Sequence, residues 1–164
     1  MLNSKLYHNI IIIVSYTNYK NVYSEVLYIT SEEKAYIAGI IDGEGSIMLI
    51  RFHKNQFPSP CVSISSTTLE LLEWIKNKTN VGNIISKKNY DPNKHKNSYT
   101  YIVKYRNAIK FIEYIEPYLV IESKRKRAQL ILNEYESVTP RNGRYSDEAL
   151  KLKEEFYERF ISIK

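Results

Sequence analysis

The sequence predicts an α+β fold, a helix–hairpin–helix–hairpin–helix core with a four-stranded antiparallel sheet and further helices at its C-terminal end. Three observations predict it. Apolar residues run in strand-like pairs, 46–53 with 61–65 and 83–90 with 98–106, each pair broken by a polar or prolyl loop. Each pair is followed by a run of helical period, one ending at Lys78 and one stopped by Pro117. Ahead of both stands a helix, opened by Thr30 and Glu33, that is apolar or small from Ala35 to Ile41. The 164 residues suit one domain with a real core, assigned here to 31–164 after an N-terminal extension, 1–30.

The first helix opens with Thr30 and Glu33, the spacing of a capping box. Its composition predicts burial nearly all round. Ala35, Gly39 and Gly43 recur every four residues and leave one face without bulk, although glycine inside a helix costs roughly 1 kcal/mol relative to alanine. Such a stripe predicts a second helix lying unusually close. Gly43 is placed for the left-handed residue that ends a helix, which sets Asp42 and Glu44 at the C-terminus, where the macrodipole is already negative. Two carboxylates there call for a positive partner. A hard divalent cation with oxygen ligands, such as Mg²⁺, answers that need.

Residues 37–45, Ile-Ala-Gly-Ile-Ile-Asp-Gly-Glu-Gly, followed by Ser46, resemble the signature of the LAGLIDADG homing endonucleases. All nine positions match in type, with Ile for Leu at Ile37 and Ile40, Gly for Ala at Gly43, and Glu for Asp at Glu44. The resemblance covers roughly 31–137.

The following elements are read in order. The strand 46–53 leaves its register open, since Met48, Ile50 and Phe52 compete with Ile47, Leu49 and Arg51 for the inside. In the second strand Val62 and Ile64 face the core, so Ser63 and Ser65 face out. Thr67 or Thr68 caps the next helix, whose apolar face is Leu69, Leu72, Trp74 and Ile75. In the second hairpin Tyr99, Tyr101, Val103 and Tyr105 alternate against Thr100, Ile102 and Lys104, and Asn107 caps a helix carrying Ala108, Phe111, Ile112 and Ile115. Ser123-Lys124-Arg125-Lys126-Arg127 opens a helix to about Ser137. Cations there oppose the macrodipole, which predicts an external anion beside them. A last helix at about 146–162 is capped by Ser146, with a stripe of Ala149, Leu152, Phe156, Phe160 and Ile163.

An antiparallel sheet can leave one face uncovered, and two-stranded ribbons fit the DNA major groove. Candidate DNA contacts on that face are Arg51, Lys54, Ser63, Ser65, Lys87, Lys88 and Lys104, with Tyr101 as an aromatic option and Lys126 nearby; for each, the alternative is a plain solvated residue. Lys94, His95 and Lys96 form a charge cluster on a hairpin tip, and Arg141 and Arg144 are placed to reach flanking backbone. Lys plus Arg number 24 against 18 Asp plus Glu, and the resulting net charge of +6 suits a polyanion. One cysteine, Cys61, excludes an internal disulfide and a cysteine zinc site. Ile10 to Val14 is too short to span a membrane and reads as a strand; Tyr16, Tyr19, Lys20 and Tyr23 after it make an arm along nucleic acid the alternative.

The resemblance implies a nuclease. Glu44 would bind Mg²⁺ or another divalent cation, with Asp42 ranked second as a ligand, and Lys124, or Lys126 in its place, would lie near the scissile phosphate. The family's water-orienting polar residue falls on Ser66, with Glu70 where related enzymes carry a base. The motif occurs once, so cutting a duplex implies a homodimer packed through Ala35, Gly39 and Gly43. The function so implied is a site-specific homing endonuclease of an intron or intein-type element, making staggered cuts in double-stranded DNA at a long pseudo-palindromic site. An intron RNA maturase, or a non-cleaving DNA-binding regulator, is the alternative. An intracellular setting, in a prokaryotic or archaeal cytoplasm or an organelle, and no membrane association are expected.

Overall fold

Thr30 and Glu33 close their capping box: the Glu33 N–H donates to Thr30 Oγ1 at 3.3 Å and the Thr30 N–H to Glu33 Oε2 at 3.0 Å. This is seen in a computed structural model that describes residues 29–54, 56–140 and 145–164. The extension 1–28, with its strand or arm, and Arg141 and Arg144 lie outside the described residues.

Helix α1, Ser31–Glu44, buries Ile37, Ala38 and Ile41 against the rest of the chain. It is not buried all round. Ala35, Tyr36, Gly39 and Gly43 face outward, Tyr36 at 55% exposure. Gly43 does not end the helix either. Its φ is not positive; α1 runs on to Glu44 and caps on Gly45, whose extended backbone (φ −94) passes straight into β1. No left-handed turn is needed where a helix feeds directly into a strand. Gly45 is required for a different reason, since a Cβ there would lie 2.6 Å from the Ile41 side chain and 2.7 Å from its Cα.

Strands β1 (Gly45–Ile50), β2 (Ser59–Ser66), β3 (Asn83–Ser86) and β4 (Tyr99–Lys104) form one antiparallel sheet in the order β1-β2-β4-β3. The open question of register in β1 is settled: Ile47 pairs with Val62 and is buried, Leu49 follows it inward, and Met48 and Ile50 point to the uncovered side. The outer strands are shorter than their sequence runs. Between β3 and β4 pairing extends one further bond, from the Lys87 N–H to the Ser98 carbonyl, before the polar loop takes over.

Helix α2, Leu69–Thr79, ends on Asn80 in the left-handed conformation (φ 51), and Gly82 (φ 81) then brings the chain within touching distance of the Tyr101 ring. Helix α3, Tyr105–Ile115, starts ahead of the predicted cap Asn107, because Tyr105 itself takes a positive φ of 57 and turns β4 directly into the helix. A short 3₁₀ turn, Glu116–Tyr118, leads into α4, Glu122–Glu134. Helix α5, Asp147–Ser162, is capped by Ser146 Oγ, which accepts the Ala149 N–H at 3.2 Å.

Helices from α1 to α4 lie on one side of the sheet, and the core between them includes Ile41, Ile64, Leu72, Val103, Phe111 and Ile131. Helix α5 packs on α4 through Phe156 and Phe160. Its predicted stripe is shifted by one place. Leu152 is 50% exposed while Lys153 is 2% exposed, its ammonium over the Tyr135 ring at 4.0 Å and hydrogen-bonded to Thr139 Oγ1. Among the described residues no helix is long and apolar enough to cross a membrane.

Candidate active site and nucleic-acid face

The two oddities of charge in the sequence answer each other. At the C-terminus of α1 the Lys124 ammonium donates to the carbonyls of Ile41 and Asp42, each at 2.6 Å. At the N-terminus of α4 the Asp42 carboxylate accepts the Val120 N–H at 2.7 Å and the Ile121 N–H at 3.4 Å. A cation thus sits on the negative end of one helix and an anion on the positive end of the other, which is the stabilising sense at both. Asp42 thus supplies an anion at the start of α4 from within the chain. Asp42 is therefore committed to the frame by both oxygens, and its second-ranked place as a metal ligand gives way.

Glu44, the last residue of α1, is different. It is exposed and takes part in no hydrogen bond or ion pair among the described residues. A free carboxylate at a helix C-terminus, where the dipole disfavours it, is an oxygen donor suited to a hard cation. The described residues contain no group of three His, Cys, Asp or Glu side chains able to hold a metal by themselves. Among the described residues, one chain therefore offers a single free carboxylate at this place, Glu44. Lys124 uses two of the three donors of its ammonium on carbonyls and keeps one. Lys126 is instead paired with Glu122 at 2.7 Å, and that neighbouring ammonium holds the Glu122 carboxyl below its usual range. Ser66 Oγ accepts the Thr68 N–H at 3.0 Å, so it is occupied in starting α2, and Glu70 is exposed in the first turn of that helix.

The stripe of small residues is bare. A Cβ added at Gly39 or Gly43 would meet nothing within 4 Å, and Ala35 lies exposed beside them. The sequence predicted a close neighbour for this face, and no element of the chain among the described residues occupies it.

The uncovered side of the sheet carries Ser63 and Ser65, as the alternation predicts, with Lys104. Lys87 Nζ donates to Ser65 Oγ at 3.1 Å, and Ser65 Oγ lies 3.1 Å from Thr100 Oγ1, making one polar network across three strands. Thr100 was not among the candidates. Its parity with Lys104 on β4 was the signal that could have found it. Lys104 lies over the Phe52 ring at 4.7 Å and Lys88 over Tyr90 at 4.8 Å, while Arg51 and Lys54 are exposed beyond the end of β1. Tyr101 has to be struck from this face. It is fully buried on the opposite side, its hydroxyl donating to the Val81 carbonyl at 2.9 Å and lying 2.9 Å from Thr79 Oγ1. Pairing with Ile64 fixes it inward, and burial pushes its phenol up to about 12.

A helix lined with small residues, ending in a free acid beside a sheet with one face uncovered, defines the LAGLIDADG type of α+β fold. The chain belongs to the LAGLIDADG endonuclease family, whose model matches residues 37–135. In structure it is similar to the homing endonuclease I-CvuI, solved in complex with its target in the presence of Ca, at 18% identity and a TM-score of 0.63, over 82% of this chain and 83% of that one. It is also similar to the archaeal intron-encoded homing endonuclease I-Vdi141I complexed with DNA, at 22% identity and a TM-score of 0.54, over 81% and 84% of the two chains. With I-GzeII in complex with its DNA target the identity is 21% and the TM-score 0.61, over 80% of this chain but 44% of that one. At the level of sequence no curated protein matches.

Proposed function

We propose that this chain is a site-specific homing endonuclease of a mobile intron or intein-type element, which cuts both strands of a long pseudo-palindromic DNA site as a homodimer using a divalent cation. The observation that carries the reading is the division of labour at the end of α1, where Asp42 is consumed by backbone amides and Glu44 is left free.

The homodimer rests on two supports. The face of Ala35, Gly39 and Gly43 is empty in one protomer, and the chain spans most of I-CvuI but under half of I-GzeII. Two α1 helices crossing on small residues bring two Glu44 side chains towards the symmetry axis, and like charges so placed are stabilised by cations. Mg²⁺ bound there would supply Lewis-acid stabilisation of phosphate charge and a more acidic bound water. Glu44 would hold that cation. Lys124, fixed by two carbonyls, turns its remaining donor to the non-bridging oxygens as charge grows on the phosphate, while water attacks phosphorus in line and the 3′ oxygen leaves. Lys87, Ser65, Ser63 and Lys104 present polar groups to the duplex from the uncovered sheet, and Lys54, Lys88 and Arg51 reach its backbone.

The test is cleavage of a plasmid library carrying candidate uninterrupted loci, with and without Mg²⁺, by wild-type protein and Glu44→Gln. Metal-dependent double-strand cuts at one long site, reduced at least a thousandfold in the variant, are expected. Binding without cutting by the wild type would shift the function to a regulator or an RNA maturase, which intron RNA binding would then separate.

A further inference from the structure

The uncovered face of the sheet is chemically unusual for a surface that reads DNA. By register it consists of four cross-strand rows: Ile85, Thr100 and Ser65; Asn83, Ile102, Ser63 and Ser46; Lys104, the fully buried Cys61 and Met48; and Ile50 with Ser59, whose Oγ accepts the Tyr135 hydroxyl at 3.3 Å. Ile85 is 51% exposed, and Met48, Ile50 and Ile102 are half-buried rather than covered. The helices lie on the other side, so these aliphatic groups are not core.

Within the four strands no position on this face carries Arg, Gln, Asp or Glu. Of these, Gln reads adenine, while Arg bidentate to guanine and Asp or Glu accepting from cytosine supply strong readout of G·C pairs; the one lysine of the strands on this face, Lys104, is turned onto the Phe52 ring. What the face does hold is Asn83, whose amide matches the donor and acceptor of adenine, and apolar side chains, which match the 5-methyl group of thymine. Ser63, Ser65 and Thr100 suit either pair. The lysines sit at the margins, Lys87 tied to Ser65 and Lys104 lying over Phe52, and the chain as a whole carries a net charge of +6. Cationic groups at the strand ends, with aliphatic side chains on both edge strands and at Ile102, complement a groove whose walls are phosphate and whose floor is methyl-rich.

We infer that the sheet face of this protein reads A·T-rich DNA, through contact of Met48, Ile50, Ile85 and Ile102 with thymine methyl groups and of Asn83 with adenine. This rests on the endonuclease reading and adds the class of target. It names the residues that set specificity, apart from the Glu44 and Lys124 chemistry.

The full chain, with Ca²⁺ replacing Mg²⁺, is used to select bound duplexes from a randomised library, and the best duplex is resynthesised with deoxyuridine for thymine, which removes the methyl and nothing else. A·T pairs are expected to dominate the two blocks that the protein protects on either side of the centre. Deoxyuridine in those blocks should weaken binding at least tenfold, and deoxyuridine outside them less than twofold. The Ile85→Ser, Ile102→Thr double variant should bind thymine and uracil duplexes within threefold of each other. Blocks rich in G·C, or equal binding of the two duplexes by the wild type, would overturn the inference and leave the endonuclease reading standing. Recovery of no duplex above competitor DNA would overturn both.

Discussion

Lys124 and Asp42 each hold the end of the other's helix: the ammonium of α4 lies 2.6 Å from the Asp42 carbonyl of α1, and the Asp42 carboxylate accepts the Val120 N–H at 2.7 Å. Hydrogen bonds to charged groups contribute about 1.5–3 kcal/mol when shielded and less when exposed. Lys124→Met is therefore expected to cost about 1–2 kcal/mol of stability, and Asp42→Asn about 1 kcal/mol, because one amide loses its charged acceptor. Groups in one network couple, so the double variant should fall short of additivity by at least about 0.5 kcal/mol in urea unfolding. Strict additivity would mean that the two ends are held independently.

The bare stripe on α1 leads to a prediction in which stability and assembly move in opposite directions. A Cβ at Gly39 meets nothing within 4 Å in the protomer, and replacing an exposed helical glycine gains about 0.5–1 kcal/mol of helix propensity. Gly39→Leu should thus melt no lower than wild type at concentrations where both are monomeric. Between two helices the same side chain has no room, and sedimentation should show the dimer constant weakened more than tenfold. An unchanged dimer mass would remove α1 from the interface.

Much of this was legible in the residues. The capping box, the strand–strand–helix repeat and the inward Val62 and Ile64 follow from local pattern, which depends on neighbours a few positions away. The register of β1 was not, because both of its faces are apolar, and only pairing with β2 selects Ile47 for the core. Asp42 reads as holding the end of its helix, but the groups it engages are not legible locally: the Val120 and Ile121 amides and the Lys124 ammonium lie far along the chain. Lys153 was hidden by its own charge, since a stripe is read from apolar residues and a lysine whose stem packs on aromatic rings does not join it.

Tyr101 separates a core role from a nucleic-acid role. Phenylalanine keeps the ring beside Phe111 but removes the hydroxyl that serves the Val81 carbonyl and lies by Thr79. A buried acceptor left unpaired costs about 1–3 kcal/mol. Tyr101→Phe should lower stability by about 1–2 kcal/mol while leaving DNA affinity and its salt dependence unchanged, as filter binding across a salt series would show. A tenfold loss of affinity with stability intact would return Tyr101 to the DNA-binding surface.

Lys153 makes stability depend on pH in a direction that follows from its burial. Desolvation pushes its ammonium down to about 8, against 10.5 for a free lysine, with the Tyr135 and Phe156 rings and Thr139 partly compensating. Below pH 8 both the folded and unfolded chains carry this proton and the cost of burying it is felt in full. Between pH 8 and 10.5 the unfolded chain binds more protons than the folded one, so stability rises with pH. The rise is opposed from about pH 9, where the Cys61 thiol, pushed up to about 11 by burial, ionises in the unfolded chain first, and again above pH 10 by Tyr101, held up to about 12. Urea midpoints measured from pH 7 to pH 9 should therefore increase, by the equivalent of about 1 kcal/mol for one unit of pH. Lys153→Met keeps the stem, removes the buried charge, and should be neutral or about 1–2 kcal/mol more stable at pH 7 with that rise abolished. A rising limb that persists in Lys153→Met would assign the dependence to another group.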